Sequence, residues 1–210
     1  MRQYYPVMID LNGKKIVVIG GGAVATRKIG GLLMSGAEIT VISPSVTDQI
    51  KQWAYENYIK WLPSKFEGKH NIQDAFLVFA ATNNVKVNRE ISQMASSFQL
   101  LNIVDHPQLS NFIVPSTFTR GKLSVSVSTS GSYPGLSKKI KQELLQIYDE
   151  SYEEYVGFLE QCRAEILKNI SDPQTRSRIF EKLLDPIFLE LTKKGNYQER
   201  NNLFLSMILQ

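Results

Sequence analysis

Three stretches of this sequence carry residue types that do chemistry when the surrounding chain places them correctly. The first is Gly20-Gly21-Gly22-Ala23-Val24-Ala25, which follows the β-branched run Lys15 to Ile19. A G-x-G-x-x-A spacing between a strand and a helix suits a dinucleotide. The first glycine permits the tight turn, the second lets a pyrophosphate approach the backbone, and the small Ala25 lets helix and strand pack closely. The phosphate charge then rests on free amides at the helix N-terminus, among them those of Ala23 and Val24. The alternative is a flexible turn with no ligand.

The second stretch is Asn102-Ile103-Val104-Asp105-His106-Pro107. A carboxylate at the end of an apolar strand, on the same sheet edge as the glycine loop, is placed to accept a proton from a substrate that loses hydride. Asp105 equally suits the start of a turn before Pro107. His106 reads as a shuttle partner for Asp105 or as a solvated turn residue. With one cysteine and two histidines in the chain, no metal site is expected. The third stretch is Leu123 to Ser130. Ser124, Ser126 and Ser128 alternate with Leu123, Val125 and Val127, so one face is polar and one packs. Thr129, Ser130 and Gly131 follow as a turn that offers backbone N–H groups at a helix start.

Positioning these groups requires a sheet. Lys15 to Ile19, Glu38 to Ile42, Phe76 to Ala80 and Leu100 to Val104 read as four buried strands, and helical spacing from Ala23 to Met34 links the first two. Alternation of this kind predicts an α/β domain with a mostly parallel, Rossmann-type sheet. An acidic residue about 20 positions past the glycines normally bonds the adenosine ribose. Here the second strand runs into Ser43-Pro44-Ser45. Ser43 or Ser45 can bond a ribose hydroxyl and neither would repel a 2′-phosphate, so these residues leave NAD and NADP open. Arg27 and Lys28 read equally as surface charges or cofactor contacts. The third strand ends at Thr82-Asn83, placed to touch the nicotinamide half or to cap the next helix.

Beyond the sheet, Phe112 to Val114 and Leu123 to Ser128 read as paired strands around Gly121-Lys122. Pro134 then opens a helix with Leu136, Ile140, Leu144 and Ile147 on one stripe. Only helices are expected from Tyr148 onward. The domain expectation is 1–113 for a dinucleotide-binding domain, 114–147 for a β-α segment and 148–210 for a small all-helical domain.

Bulk properties narrow the function classes. The chain has 210 residues, 43% of them hydrophobic and 21% charged, with a formal net charge of +4. That composition is globular, and no apolar run approaches the roughly 20 residues that span a bilayer. The opening residues lack the apolar stretch of a secretory signal, and the single cysteine fits a reducing cytoplasm. No dense basic run marks a nucleic-acid surface. A modest positive balance suits a small substrate rich in carboxylates. Arg120, Lys122, Lys138 and Lys139 are candidates for that charge, or ordinary wet surface.

Val18 to Lys28, Asn102 to Asp105, Phe112-Ile113-Val114-Pro115-Ser116, and Ser128-Thr129-Ser130-Gly131 followed by Pro134 occur in one order. Together they resemble the precorrin-2 dehydrogenase family, including the N-terminal module of bifunctional siroheme synthases. The resemblance covers roughly residues 5–150. It implies oxidation of precorrin-2 to sirohydrochlorin with NAD as hydride acceptor, and a homodimer joined through the middle segment. It also implies Asp105 as catalytic acid/base. Thr129 stands where some relatives carry serine and keeps the hydroxyl. Ser124, Ser126, Ser128, Thr129 and Ser130 are the substrate candidates. Some relatives also insert iron, and this is left open here. A non-catalytic dinucleotide-sensing module is the rival reading.

Overall fold

The structure, a computed structural model, describes residues 3–104 and 106–209. The chain divides into two compact units, Met1–Val114 and Pro115–Gln210. In the first unit the described residues form a five-stranded, wholly parallel sheet in the order β3-β2-β1-β4-β5. The strands are β1 Lys15–Ile19, β2 Glu38–Ile42, β3 Lys60–Leu62, β4 Leu77–Ala80 and β5 Leu100–Ile103. The order reverses between β1 and β4, which makes their carboxyl ends the switch point where such sheets bind ligands.

The hydrophobic runs are continuous because both faces of the sheet are covered. Ile16, Val18, Val41, Leu77 and Phe79 pack on one face with Ala25 and Ile29 of α1 (Ala23–Gly30) and Ile50 of α2 (Asp48–Tyr55). Val17, Ile19, Ile42, Val78 and Ala80 pack on the other with Ile91 of α3 (Val85–Met94). Full burial of one such side chain contributes about 1.5–3 kcal/mol. The outer edge of β5 is closed by the chain itself. Asn111 accepts from the Leu101 amide at 2.7 Å and Ser110 Oγ accepts from the Ile103 amide at 2.9 Å. That removes a sticky edge.

Three expectations are corrected here. The described residues hold a fifth strand, β3, which the apolar pattern hid because it is three residues long and only half-buried. The first helix stops at Gly30 instead of Met34, where Gly30-Gly31 breaks it, and Leu33–Ser35 forms a separate 3₁₀ turn. Phe112 to Val114 is not a strand. Asn102 Nδ2 donates to the Phe112 carbonyl at 3.1 Å, the Phe112 ring packs edge-on against Phe79, and Pro115 has no amide to continue a ladder. The hairpin strand begins at Ser116.

The second unit opens with that antiparallel hairpin, β6 Ser116–Arg120 and β7 Leu123–Val127, against which α4 (Pro134–Ile147) packs. Four more helices follow: α5 Ser151–Asn169, α6 Pro173–Lys182, α7 Pro186–Lys193 and α8 Tyr197–Ile208. Asp172 and Asp185 cap α6 and α7 from the residue before a first-turn proline, a pairing that fixes both starts. The core is an i, i+3, i+4 stripe on α5 (Tyr155, Phe158, Cys162, Ile166) packed on Ile179, Leu183, Phe188 and Phe204. Arg200 is buried in this core, over the Phe158 ring at 4.1 Å and paired with Glu154 at 3.2 Å. A lone charge in a core is costly unless it is paired in this way.

Cys162 is 2% exposed, and burial pushes its thiol pKa up to about 12. An open thiol titrates near 8.5, so at pH 9 it would be mostly thiolate. Iodoacetamide at pH 9 is therefore expected to leave Cys162 almost unlabelled in the folded protein and to label it fully in guanidinium. Fast labelling of the folded chain would contradict the packing of α5.

Candidate functional site

A cavity of about 810 Å³ opens at the carboxyl ends of β1, β2 and β4. Its floor is the glycine loop, and its size lies within the range of cofactor pockets. Gly20, Gly21, Gly22, Ala23 and Val24 line it. The wall at the end of β2 is made by Ser43, Pro44 and Ser45, and that at the end of β4 by Thr82 and Asn83. Ten residues singled out from three separate stretches of sequence therefore meet around one space.

Each glycine has a distinct job. Gly20 adopts φ +114, and an added Cβ would lie 2.4 Å from the Ala81 carbonyl oxygen, so only glycine lets β1 turn beside β4. At Gly21 an added Cβ would sit 2.2 Å from the Ser45 carbonyl oxygen, because the chain after β2 crosses directly over the loop. Gly22 is different. Its added Cβ would meet nothing within 4 Å, so the missing side chain leaves open cavity. Gly22 is also the N-cap of α1, with no side-chain cap and no acidic residue in the first turn. The first intrahelical amide bond is Thr26 N–H to the Gly22 carbonyl at 3.0 Å. The earlier amides face the cavity with the positive end of the helix dipole. An anion is the natural partner for that end, and a dinucleotide diphosphate fits both the charge and the space.

The hydroxyls around the cavity are partly committed already. Ser43 Oγ donates to the Ser45 carbonyl at 2.7 Å, which fixes the bend after β2 and leaves Ser45, exposed, as the open hydroxyl. Thr82 Oγ1 donates to Asn88 Oδ1 at 2.6 Å, and Asn84 caps α3. Asn83 makes no hydrogen bond among the described residues. Several lining residues are not among the site candidates read from the sequence: Val46, Thr47, Lys65, Phe66, Asn84, Val87 and Val104. Most belong to the loops after β2 and β3 and to the first turn of α3. Lys28 is half-buried over the Phe79 ring at 5.2 Å, and its pKa is lowered by desolvation first and by Arg27 second. It is neither an ordinary surface charge nor part of the cavity wall.

Asp105 lies outside the described residues. Its neighbour Val104 lines the cavity and donates its amide to the Ala80 carbonyl at 3.0 Å.

Ser124 and Ser126 belong to the second unit. They are exposed on one face of the hairpin, opposite Thr119 and Thr117, so four hydroxyls share that surface. Ser128 and Thr129 hold the turn before α4: Ser128 Oγ accepts from the Ser130 amide and Thr129 Oγ1 from the Tyr133 amide. Ser130 sits at φ +53, a left-handed conformation rare for a non-glycine residue. With the Ser132 amide on the Thr129 carbonyl, three of the turn's amides are used internally, so fewer are free than the sequence pattern suggests. Arg120 and Lys122 are also occupied: Arg120 bonds the Tyr148 carbonyl and Glu150, and Lys122 pairs with Glu160. Among the described residues no three His, Cys, Asp or Glu side chains gather as a metal site.

The family model described as "Putative NAD(P)-binding" matches residues 7–116, the whole sheet and its glycine loop. A precorrin-2 dehydrogenase of Priestia megaterium is 36% identical over 197 residues, covering 93% of this chain and 97% of that protein. The chain belongs to the precorrin-2 dehydrogenase family. The member of that family from Bacillus subtilis (strain 168) is 41% identical over 75% of this chain and 97% of its own length. The solved structure of SirC, a precorrin-2 dehydrogenase, superposes with a TM-score of 0.78 at 34% identity, covering 98% of both chains. A siroheme synthase of Neisseria meningitidis is 32% identical over 90% of this chain, which spans 40% of that longer enzyme.

The two outer glycines predict opposite outcomes. Gly22→Asp adds a side chain into open space, so its melting temperature should stay within a few degrees of the parent. Like-charge contact with a diphosphate costs several kcal/mol, so NADH affinity should fall roughly a hundredfold or more. Gly20→Val should lower the melting temperature by several degrees, since strain and overpacking cost about 1–3 kcal/mol each. Thermal melts and NADH fluorescence titrations check both, and full NADH binding by Gly22→Asp would contradict the loop's assignment.

Proposed function

We propose that this chain is an oxidoreductase that dehydrogenates precorrin-2 to sirohydrochlorin, with NAD held in the cleft of the first unit. The observation that carries this reading is the open space at Gly22 beside the uncapped start of α1, in a chain whose family members are precorrin-2 dehydrogenases. NAD, when bound, supplies the hydride acceptor. The amides at the start of α1 hold its diphosphate, Ser45 meets the adenosine ribose, and Asn83 meets the nicotinamide half. The substrate loses one hydride and one proton. Asp105, the residue after Val104 at the cleft wall, takes the proton. Its charge also favours the substrate cation that hydride loss leaves behind. Holding the reacting carbon against the ring in one orientation supplies a large part of the rate.

The substrate carries many carboxylate arms. Ser124, Ser126 and Ser128 present hydroxyl donors to it, with Thr129 and Ser130 at the adjoining turn. Lys138 of α4, which makes no ion pair among the described residues, suits its charge better than Arg120, Lys122 and Lys139, which are already paired. The protein acts in the cytoplasm as a homodimer formed through the second unit. An isolated two-stranded hairpin is marginal, and α4 keeps apolar Leu136 and Ile147 45% and 59% exposed, a surface that a second copy would cover. The sensing-module alternative has no use for a carboxylate at 105.

In an anaerobic assay with precorrin-2 and NAD, NADH absorbance is expected to rise with the wild type. Asp105→Ala should keep NADH binding within about twofold while losing on the order of 100-fold or more in turnover, the usual worth of a general acid/base. NAD binding without turnover by the wild type would favour the sensor. Light scattering should give twice the chain mass, and Leu136→Glu with Ile147→Glu should give the monomer. A monomeric wild type would remove the dimer.

A further inference from the structure

Lys65 reaches the cleft from the loop after β3, three positions beyond Leu62. The strand order places that loop beside the end of β2, and two bonds tie the strand exits together. The Ser43 amide donates to the Leu62 carbonyl at 3.2 Å, and Trp61 Nε1 donates to the Ser43 carbonyl at 2.9 Å. In doubly wound sheets the adenosine ribose is held at the end of the second strand, usually by a carboxylate that bonds its hydroxyls. That carboxylate also acts as the repulsive element against a 2′-phosphate, since specificity needs a penalty for the wrong ligand as well as contacts to the right one.

Both halves of that discrimination are altered here. None of the described residues lining the cleft is acidic, and Lys65 is the only charged side chain among them. The carboxylates nearest in the chain to Ser45 and Lys65 are engaged elsewhere: Asp48 with Lys51 at 2.9 Å and Glu67 with His70 at 3.8 Å. Neither lines the cleft. Lys65 makes no ion pair or hydrogen bond among the described residues and is exposed at the mouth of the cavity. Ser45, the open hydroxyl at the end of β2, lines the same cleft.

We propose that Lys65 is a specificity-determining residue that lets this cleft accept a nicotinamide dinucleotide carrying a 2′-phosphate as well as one without it. The proposal rests on the cleft being the cofactor site. A 2′-phosphate brings a charge of about −1.5 to −2, and the ammonium of Lys65 is the counter-charge that the β2 turn lacks. The contact is solvent-exposed, so it weakens with salt over a Debye length of about 8 Å at physiological ionic strength. The residue escapes motif reading because it lies about 20 positions past the turn where a basic grip is normally sought.

The test is a fluorescence titration of the whole chain with NADH and with NADPH, for the wild type, Lys65→Ala and Ser45→Asp. The wild type should bind NADPH within about threefold of NADH, less than half of a tenfold step. Lys65→Ala should lower the NADPH-to-NADH affinity ratio by about tenfold, the worth of one charge-assisted hydrogen bond. Ser45→Asp should lower the same ratio by restoring the missing repulsion. The wild-type ratio should also fall as salt is raised. Wild-type NADPH binding about 30-fold or more weaker than NADH overturns the proposal. Equal loss of both ligands in Lys65→Ala also overturns it, because the lysine would then serve the diphosphate. Binding of neither nucleotide by the wild type would instead remove the cofactor site itself.

Discussion

The bare N-terminus of α1, set at the reversal point of a parallel sheet, is the constraint that organises the first unit. An uncapped helix start costs free energy unless something meets its amides, and among the described residues no side chain does so. Gly20 turns the strand into the helix, Gly21 lets the β2 exit cross the loop, and Gly22 keeps the space above the amides open. Both faces of the sheet must be buried for this end to hold its shape, which accounts for the unbroken apolar runs of β1 and β4. The cost of leaving the helix end open is thus met by the core, and a bound anion recovers it.

The second unit handles charge in the opposite way. Its cations are largely consumed in its own architecture: Arg200 in the core, Arg120 across the α4–α5 connection, Lys193 on Asp149. What remains exposed on the hairpin is a set of neutral hydroxyls, Thr117, Thr119, Ser124 and Ser126. Neutral donors can orient an anionic macrocycle without the desolvation cost of a buried charge. A surface of this kind suits recognition of a substrate whose binding must remain reversible.

Much of this was legible in the sequence, and the exceptions have physical causes. β1 and β2 could be bounded to the residue because both faces are buried and glycine or serine ends them. The cleft residues were legible wherever a strand ran directly into a turn, as at Gly20, Ser43 and Thr82. β3 was not, because three half-exposed residues leave no periodicity. With β3 unseen, the loop that carries Lys65 and Phe66 had no place at the sheet's end. Phe112 to Val114 looked like a strand by composition, but a side-chain bond from Asn102 and the missing amide of Pro115 gave it another course. Lys28 reads as an ordinary helix charge until its ammonium is placed over Phe79. The spent hydroxyls of Ser43 and Thr82 could not be foreseen either, since sequence shows which groups are present and not which are already bonded.

The central claim is that a dinucleotide diphosphate rests on the first amides of α1, over the gap left by Gly22. A crystal structure of the protein with NAD bound tests it most directly. The diphosphate oxygens should lie about 2.7–3.2 Å from the backbone nitrogens that open the helix, with the adenosine toward Ser45 and the nicotinamide toward Asn83. Density for NAD at any other place, or side chains closing the gap above Gly22, would contradict the account.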